Sequence, residues 1–170
     1  MSTIFLLNNS KSILLFPNGF SLLKKEKAET ILEKTFPNTS VSFLPPFAKD
    51  FFALSNDETE TVDIIFDLFP PMLIPKALYN ESTAYDSLGA QFDISGLGQL
   101  LTEEIEEYNT TYFINHNEIN ALKKININPR FTHLSSLIFQ NLQDHSFYHA
   151  DNLISLFIND SYVDFILIKS

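Results

Sequence analysis

At 170 residues, with 45% hydrophobic side chains and 17 phenylalanines, the chain carries enough core material for one domain or two small lobes, which excludes disorder for its bulk. It has no cysteine, excluding disulfides and thiolate metal sites and fitting a reducing compartment. A formal charge of -10, from 21 acidic against 11 basic residues, argues against nucleic acid or an anionic membrane as a partner.

The N-terminal residues 1–9 lack a basic start, and their apolar run is too short for a signal peptide. No stretch reaches membrane-spanning length without charges, so a cytoplasmic protein is the expectation. Residues 12–16, the Pro17-Asn18-Gly19 turn and residues 20–23 predict a β-hairpin. Residues 24–36 predict a helix, with Ile31, Leu32 and Phe36 near one face and Pro37-Asn38 as the stop. Residues 40–44 read as a strand ended by Pro45-Pro46, and 47–54 as a helix packing Phe51, Phe52 and Leu54 inward.

A polar loop over 55–60 leads into residues 62–69, the strongest strand signal, apolar on nearly both faces as a covered central strand requires. Pro75 opens a short helix through Tyr79, and a further helix covers 84–92. Residues 100–107 allow either a helix, by propensity, or the first arm of a hairpin closed near Tyr108-Asn109-Thr110 before a strand at 111–114. A helix over 118–122 has Asn115 or Asn117 as its N-cap, residues 126–129 break it, and another helix spans 134–142. Residues 153–158, Asn159-Asp160-Ser161 and 162–168 then repeat the hairpin signal. This alternation reads as α/β, or alternatively α+β, with a mixed sheet. The repeated hairpin suggests two lobes, 1–150 and 151–170, the second holding only its opening hairpin.

Four segments carry a resemblance. They are Asn18-Gly19-Phe20-Ser21, residues 71–79 from Pro71 through Pro75 to Tyr79, residues 129–138 beginning Pro129-Arg130-Phe131-Thr132-His133, and residues 155–166. In order and spacing they resemble an uncharacterised bacterial family found mainly in Bacteroidetes, the domain-of-unknown-function family 3822. The resemblance implies an actin-like ATPase fold of the sugar kinase and actin superfamily. That is a ribonuclease-H-like mixed sheet with flanking helices, in two lobes that each open with a hairpin. The chain departs from the family in its helix-like 24–36 segment, and it stops where the family continues into the second lobe.

In catalytic members of that fold the hairpin turns cradle phosphates through glycine-rich amides while an Asp manages the metal. By resemblance, ATP and magnesium would meet Asn18 and Gly19 in the first turn and Asn159, Asp160 and Ser161 in the second. Pro17 offers no amide hydrogen, Phe20 adds bulk, the first turn lacks the Asp and the second lacks a Gly. Turns that merely join strands explain both, so no catalytic residue and no cofactor is expected. His145 and His149, flanked by Asp144 and Asp151, would share a helical face, but Ser146 stands where a zinc protease needs a Glu, and a solvated loop explains the cluster. Gly96-Leu97-Gly98 is too short for a dinucleotide fingerprint. The run Glu103-Glu104-Ile105-Glu106-Glu107 could meet a basic partner or form a solvated face.

The expectation is therefore a non-catalytic interaction or scaffold module that meets a protein partner or a second copy through the C-terminal hairpin. The alternative is a nucleotide-binding or phosphotransfer protein with a degenerate ATP site. A small-molecule binder using an apolar cleft between lobes is a third.

Overall fold

The computed structural model of the chain describes residues 11–27, 30–54, 60–91, 98–125, 127–144, 152–158 and 163–169. Its centre is β1 (Lys11–Phe16), which pairs antiparallel with β2 (Gly19–Lys27) across the Pro17-Asn18 turn. β2 continues antiparallel into β3 (Thr30–Pro37), while β1 pairs parallel with β4 (Glu60–Phe66) and β4 pairs parallel with β8 (Ile127–His133). The order β3-β2-β1-β4-β8 joins an antiparallel meander to a parallel half, a mixed sheet as the resemblance implied.

Strand residues alternate between two covered faces. Ile13, Leu15, Val62, Ile64 and Phe66 meet Leu44, Ala48 and Phe52 of α1 (Leu44–Phe52) and Leu122 of α3 (His116–Lys123). Leu14 and Ile65 point the other way, against Leu134, Leu137 and Ile138 of α4 (Leu134–Asp144). This double covering is why β4 is apolar on both faces.

Three sequence expectations are overturned. Residues 24–36 form strand, not helix, because β2 runs on to Lys27 and β3 returns along it. Helix-favouring Lys and Glu lose there to cross-strand packing: Phe20 and Phe36 sit 4.9 Å apart by ring centroid, and the Ser21 and Thr35 hydroxyls share a 2.8 Å hydrogen bond. Residues 40–44 are not a strand. A 3₁₀ turn at Val41–Phe43, capped when Ser40 Oγ accepts from the Ser42 N–H, runs directly into α1. Pro45 and Pro46 occupy the first turn of that helix, where no amide hydrogen is needed, so they start it instead of ending a strand. Residues 127–133, read only as a break and an entry to a helix, form β8. Pro129 is tolerated there because β8 is the sheet's edge.

A second, three-stranded sheet is inserted between β4 and α3. It consists of β5 (Met72–Pro75), β6 (Gly98–Ile105) and β7 (Tyr108–Asn115), in antiparallel order β5-β7-β6. Residues 100–105 thus resolve as strand, and the turn falls at Glu106-Glu107, ahead of the expected position. α2 (Glu81–Gln91) covers one face of this sheet through Leu88, which meets Phe113, Met72 and Leu100. The other face lays Tyr112 on the main core, 5.6 Å from the Phe66 ring. Gly98 is required where β6 starts, since a Cβ there would lie 2.2 Å from the Ile114 carbonyl oxygen. Finally, β9 (Asn152–Ile158) and β10 (Val163–Lys169) pair antiparallel as the predicted hairpin, a separate two-stranded sheet among the described strands. Among the described residues no helix is long and apolar enough to cross a membrane.

Candidate functional site

β1 and β4 run parallel, and β3, antiparallel to β2, ends at the same rim. Past those ends lie the turn of the first hairpin, the Asn38-Thr39-Ser40 connection and Leu68, and α3 stands beside them. Between them opens a cleft of ≈ 800 Å³. The carboxyl ends of parallel strands are where open α/β sheets hold ligands, because loops diverge there and leave a crevice. The cleft is lined from the α1/α3 side of the sheet, opposite α4.

Its lining is built by local rules. Asn115 caps α3, its Oδ1 accepting from the Asn117 N–H at 2.8 Å and the Glu118 N–H at 3.3 Å. That cap sets the helical frame, which brings Asn117, Asn120, Ala121 and Lys124 to one face and turns it to the cleft. Asn18, Asn38, Thr39, Ser40 and Ser42 supply further amides and hydroxyls from the facing loops. Glu118 reaches the lining from a nine-tenths buried position. Burial raises the pKa of its carboxyl, against the pull of hydrogen bonds from Asn115 and the backbone. Its Oε2 is buried without a hydrogen-bond partner. The lining thus offers amide donors and acceptors, one ammonium and one carboxyl held toward its neutral form, a set suited to binding a polar molecule.

Asn18 and Gly19, singled out in the sequence, both line this cleft. Each also serves the sheet. The Asn18 carbonyl accepts from the Asn38 N–H, latching the turn to the end of β3. Gly19 has φ +151°, and a Cβ would lie 2.1 Å from the Phe36 carbonyl oxygen, so close strand approach alone demands glycine. Asn159, Asp160 and Ser161 lie outside the described residues, as do His145, His149, Gly96 and Leu97. Sequence reasoning missed Asn117, Glu118, Asn120 and Lys124. Their helical spacing behind a capping Asn was the available signal. Among the described residues, no group of three or more His, Cys, Asp or Glu side chains gathers as a metal ion would need.

A second polar cluster sits where the two sheets meet. Glu103 Oε1 accepts from the Tyr112 hydroxyl at 2.9 Å and from the His133 N–H at 3.0 Å, so one carboxylate ties β6 to β7 and to the end of β8. His133 Nδ1 accepts from the Ser135 N–H at 3.1 Å, which places the ring proton on Nε2, and Nε2 donates to the Phe69 carbonyl at 2.8 Å. Burial pushes the His133 pKa down to about 4, partly offset by that carbonyl. The Tyr112 hydroxyl is raised well above its ordinary range by burial and by the neighbouring Glu103. Beside this cluster a cavity of ≈ 240 Å³ is lined by Asp63, Glu103, Arg130 and Gln140, with Arg130 Nε 3.1 Å from Asp63 Oδ1. Glu103 therefore corrects the picture of a wholly solvated acidic run.

The model of a family described as protein of unknown function, DUF3822, matches residues 8–170. Among solved structures the chain is similar to a crystal structure from Bacteroides thetaiotaomicron, described as a protein with actin-like ATPase fold and unknown function. The TM-score is 0.70 at 16% identity, and the match covers 94% of this chain and 65% of that one. At that identity the likeness establishes the fold, α/β of the actin-like kind. The chain spans 65% of the length of that protein. No curated protein matches the sequence.

Proposed function

We propose that this chain, which belongs to the DUF3822 family, is a non-catalytic actin-fold domain acting as an interaction module, with another chain adding to its C-terminal hairpin. The observation that carries this reading is the isolation of β9 and β10, which among the described strands pair only with each other. Five of the seven residues in each strand are apolar. Two strands alone are marginal in water and need a third strand or a cover. Edges that pair with no other described strand offer backbone groups to an incoming strand. The hairpin, within 151–170, is then a contact unit beside a first lobe over 1–150, in a cytoplasmic protein. The non-catalytic half of the reading is supported by the first turn, where Pro17 lacks an N–H and Asn18 and Gly19 are engaged by the sheet. Light scattering and pull-down on the intact chain test it. Self-association or a specific partner is expected, lost in Ile166→Pro. A strict monomer at every concentration, with no partner captured, sinks the idea.

A second reading, nucleotide binding in a degenerate site, is favoured by the place of Asn18 and Gly19 on the cleft and by Lys124, a cation that lines the same cleft. A ligand that binds only the folded state raises the melting temperature. Magnesium-ATP should therefore shift the melt of the unaltered chain and leave Lys124→Ala unmoved if this reading holds. No shift in either protein removes it.

A further inference from the structure

The outer corner of the inserted sheet carries exposed apolar side chains, beyond the stretch of the same face where Ile105, Thr110 and Tyr112 are buried. β5 is its outer strand, four residues long. Register pairs Pro75 with Tyr108 and Leu73 with Thr110, so Leu73, Pro75 and Tyr108 share one face of the β5–β7 ribbon. Leu73 is 61% exposed and Tyr108 44%, and Leu78, in the 3₁₀ turn that follows β5, is 73% exposed. Scattered apolar side chains are ordinary on a surface, but Leu73 and Pro75 on β5, with Tyr108 beside them on β7 and Leu78 just beyond, form one patch at an edge that pairs with no other described strand.

The surroundings say what would cover it. The Lys76 N–H donates to the Glu107 carbonyl at 2.8 Å, which holds the β6–β7 turn against the end of β5. That turn exposes Glu106 and Glu107, and Glu104 stands exposed two positions before it. Lys76, 3.0 Å from Glu104, is the one cation described among them and offsets a single charge. A second copy of the chain would bring the same carboxylates to the same place, on a molecule of net charge -10. Like charges in register oppose self-pairing, whereas a basic segment gains from them.

We propose that the β5 edge, with the face of Leu73, Pro75 and Tyr108, is a docking surface for an extended basic segment of another protein. Apolar residues of that segment would sit on Leu73 and Tyr108 and its lysines or arginines would face Glu106 and Glu107. The mode is strand addition: main-chain bonds to β5 supply the attachment, and the alternating side chains select the sequence. This surface lies on a different sheet from the C-terminal hairpin and does not rest on the role proposed there.

The test is fluorescence anisotropy of a short labelled peptide alternating lysine and valine, against its glutamate and valine counterpart, on the intact chain. The basic peptide should bind, more weakly as salt rises, and the acidic one should not. Leu73→Asp should weaken binding by about tenfold or more, and so should the pair Glu106→Lys and Glu107→Lys, while Ile166→Pro in the hairpin leaves it unchanged. Should Leu73→Asp disturb folding, seen as a lowered melt, Tyr108→Ser serves in its place with the same expectation. Binding that is absent, or equal in the altered and unaltered proteins, overturns the proposal. So does a dimer that Leu73→Asp dissociates, since a second copy would then be the occupant.

Discussion

Acid should destabilise this fold through His133. The ring is 1% exposed and neutral in the native state, donating from Nε2 to Phe69 and accepting at Nδ1 from Ser135. Its pKa falls from 6.5 to about 4 on folding. Above pH 6.5 the ring is neutral in both states and costs nothing. Between pH 6.5 and 4 the unfolded chain binds a proton that the native ring refuses, so stability falls by up to ~1.4 kcal/mol per pH unit. Over that window the loss totals about 3 kcal/mol, and below pH 4 the native ring titrates too and the slope ends. Glu118 acts in the opposite sense. Its folded pKa is raised, so its contribution is complete below the ordinary carboxyl pKa and is lost as pH rises through the folded value. Urea denaturation at a series of pH values, for the unaltered chain and for His133→Gln, isolates the imidazole by difference. The variant should start about 1–2 kcal/mol less stable at neutral pH, from the lost backbone cap, and then lose less on acidification. Equal slopes for the two proteins between pH 6.5 and 4 would refute the reasoning.

Two further outcomes follow from the contacts. Tyr112→Phe removes the hydroxyl that donates to Glu103 and should cost about 1–3 kcal/mol, and Glu103→Gln should weaken both the hydroxyl and His133 N–H bonds. A double-mutant cycle by denaturation should return a coupling above about 0.5 kcal/mol, and strict additivity would show that the two groups do not act together. Gly19→Ala places a Cβ against the Phe36 carbonyl at a φ that L residues avoid, so it should cost about 2 kcal/mol or more in a thermal melt, and an unchanged melt would contradict the close approach of β2 and β3.

Legibility in the sequence tracked how local the cause was. The hairpins at 11–27 and 152–169 rest on turn residues between apolar runs, and α3 rests on an Asn cap with apolar residues at helical spacing. β4 announced its central place because residues covered on both faces must be apolar on both. Residues 30–37 did not announce themselves, since Glu33 and Lys34 favour a helix in isolation and only β2 alongside draws them out straight. β8 was hidden by Pro129, a breaker that an edge strand accepts.

What the amino-acid order determined alone was the set of segments able to bury one face or two, where they turn, and an acidic surface, because propensity, periodicity and charge act within a few residues. Only the tertiary structure decided which polar groups matter. Glu103 left its acidic run for Tyr112 and the His133 amide, Asn18 met Asn38 and came to line one cleft with Lys124, and Leu73 was left exposed on an edge among the described strands. Burial and hydrogen-bond partnership depend on residues far apart in the chain, so no local pattern encodes them.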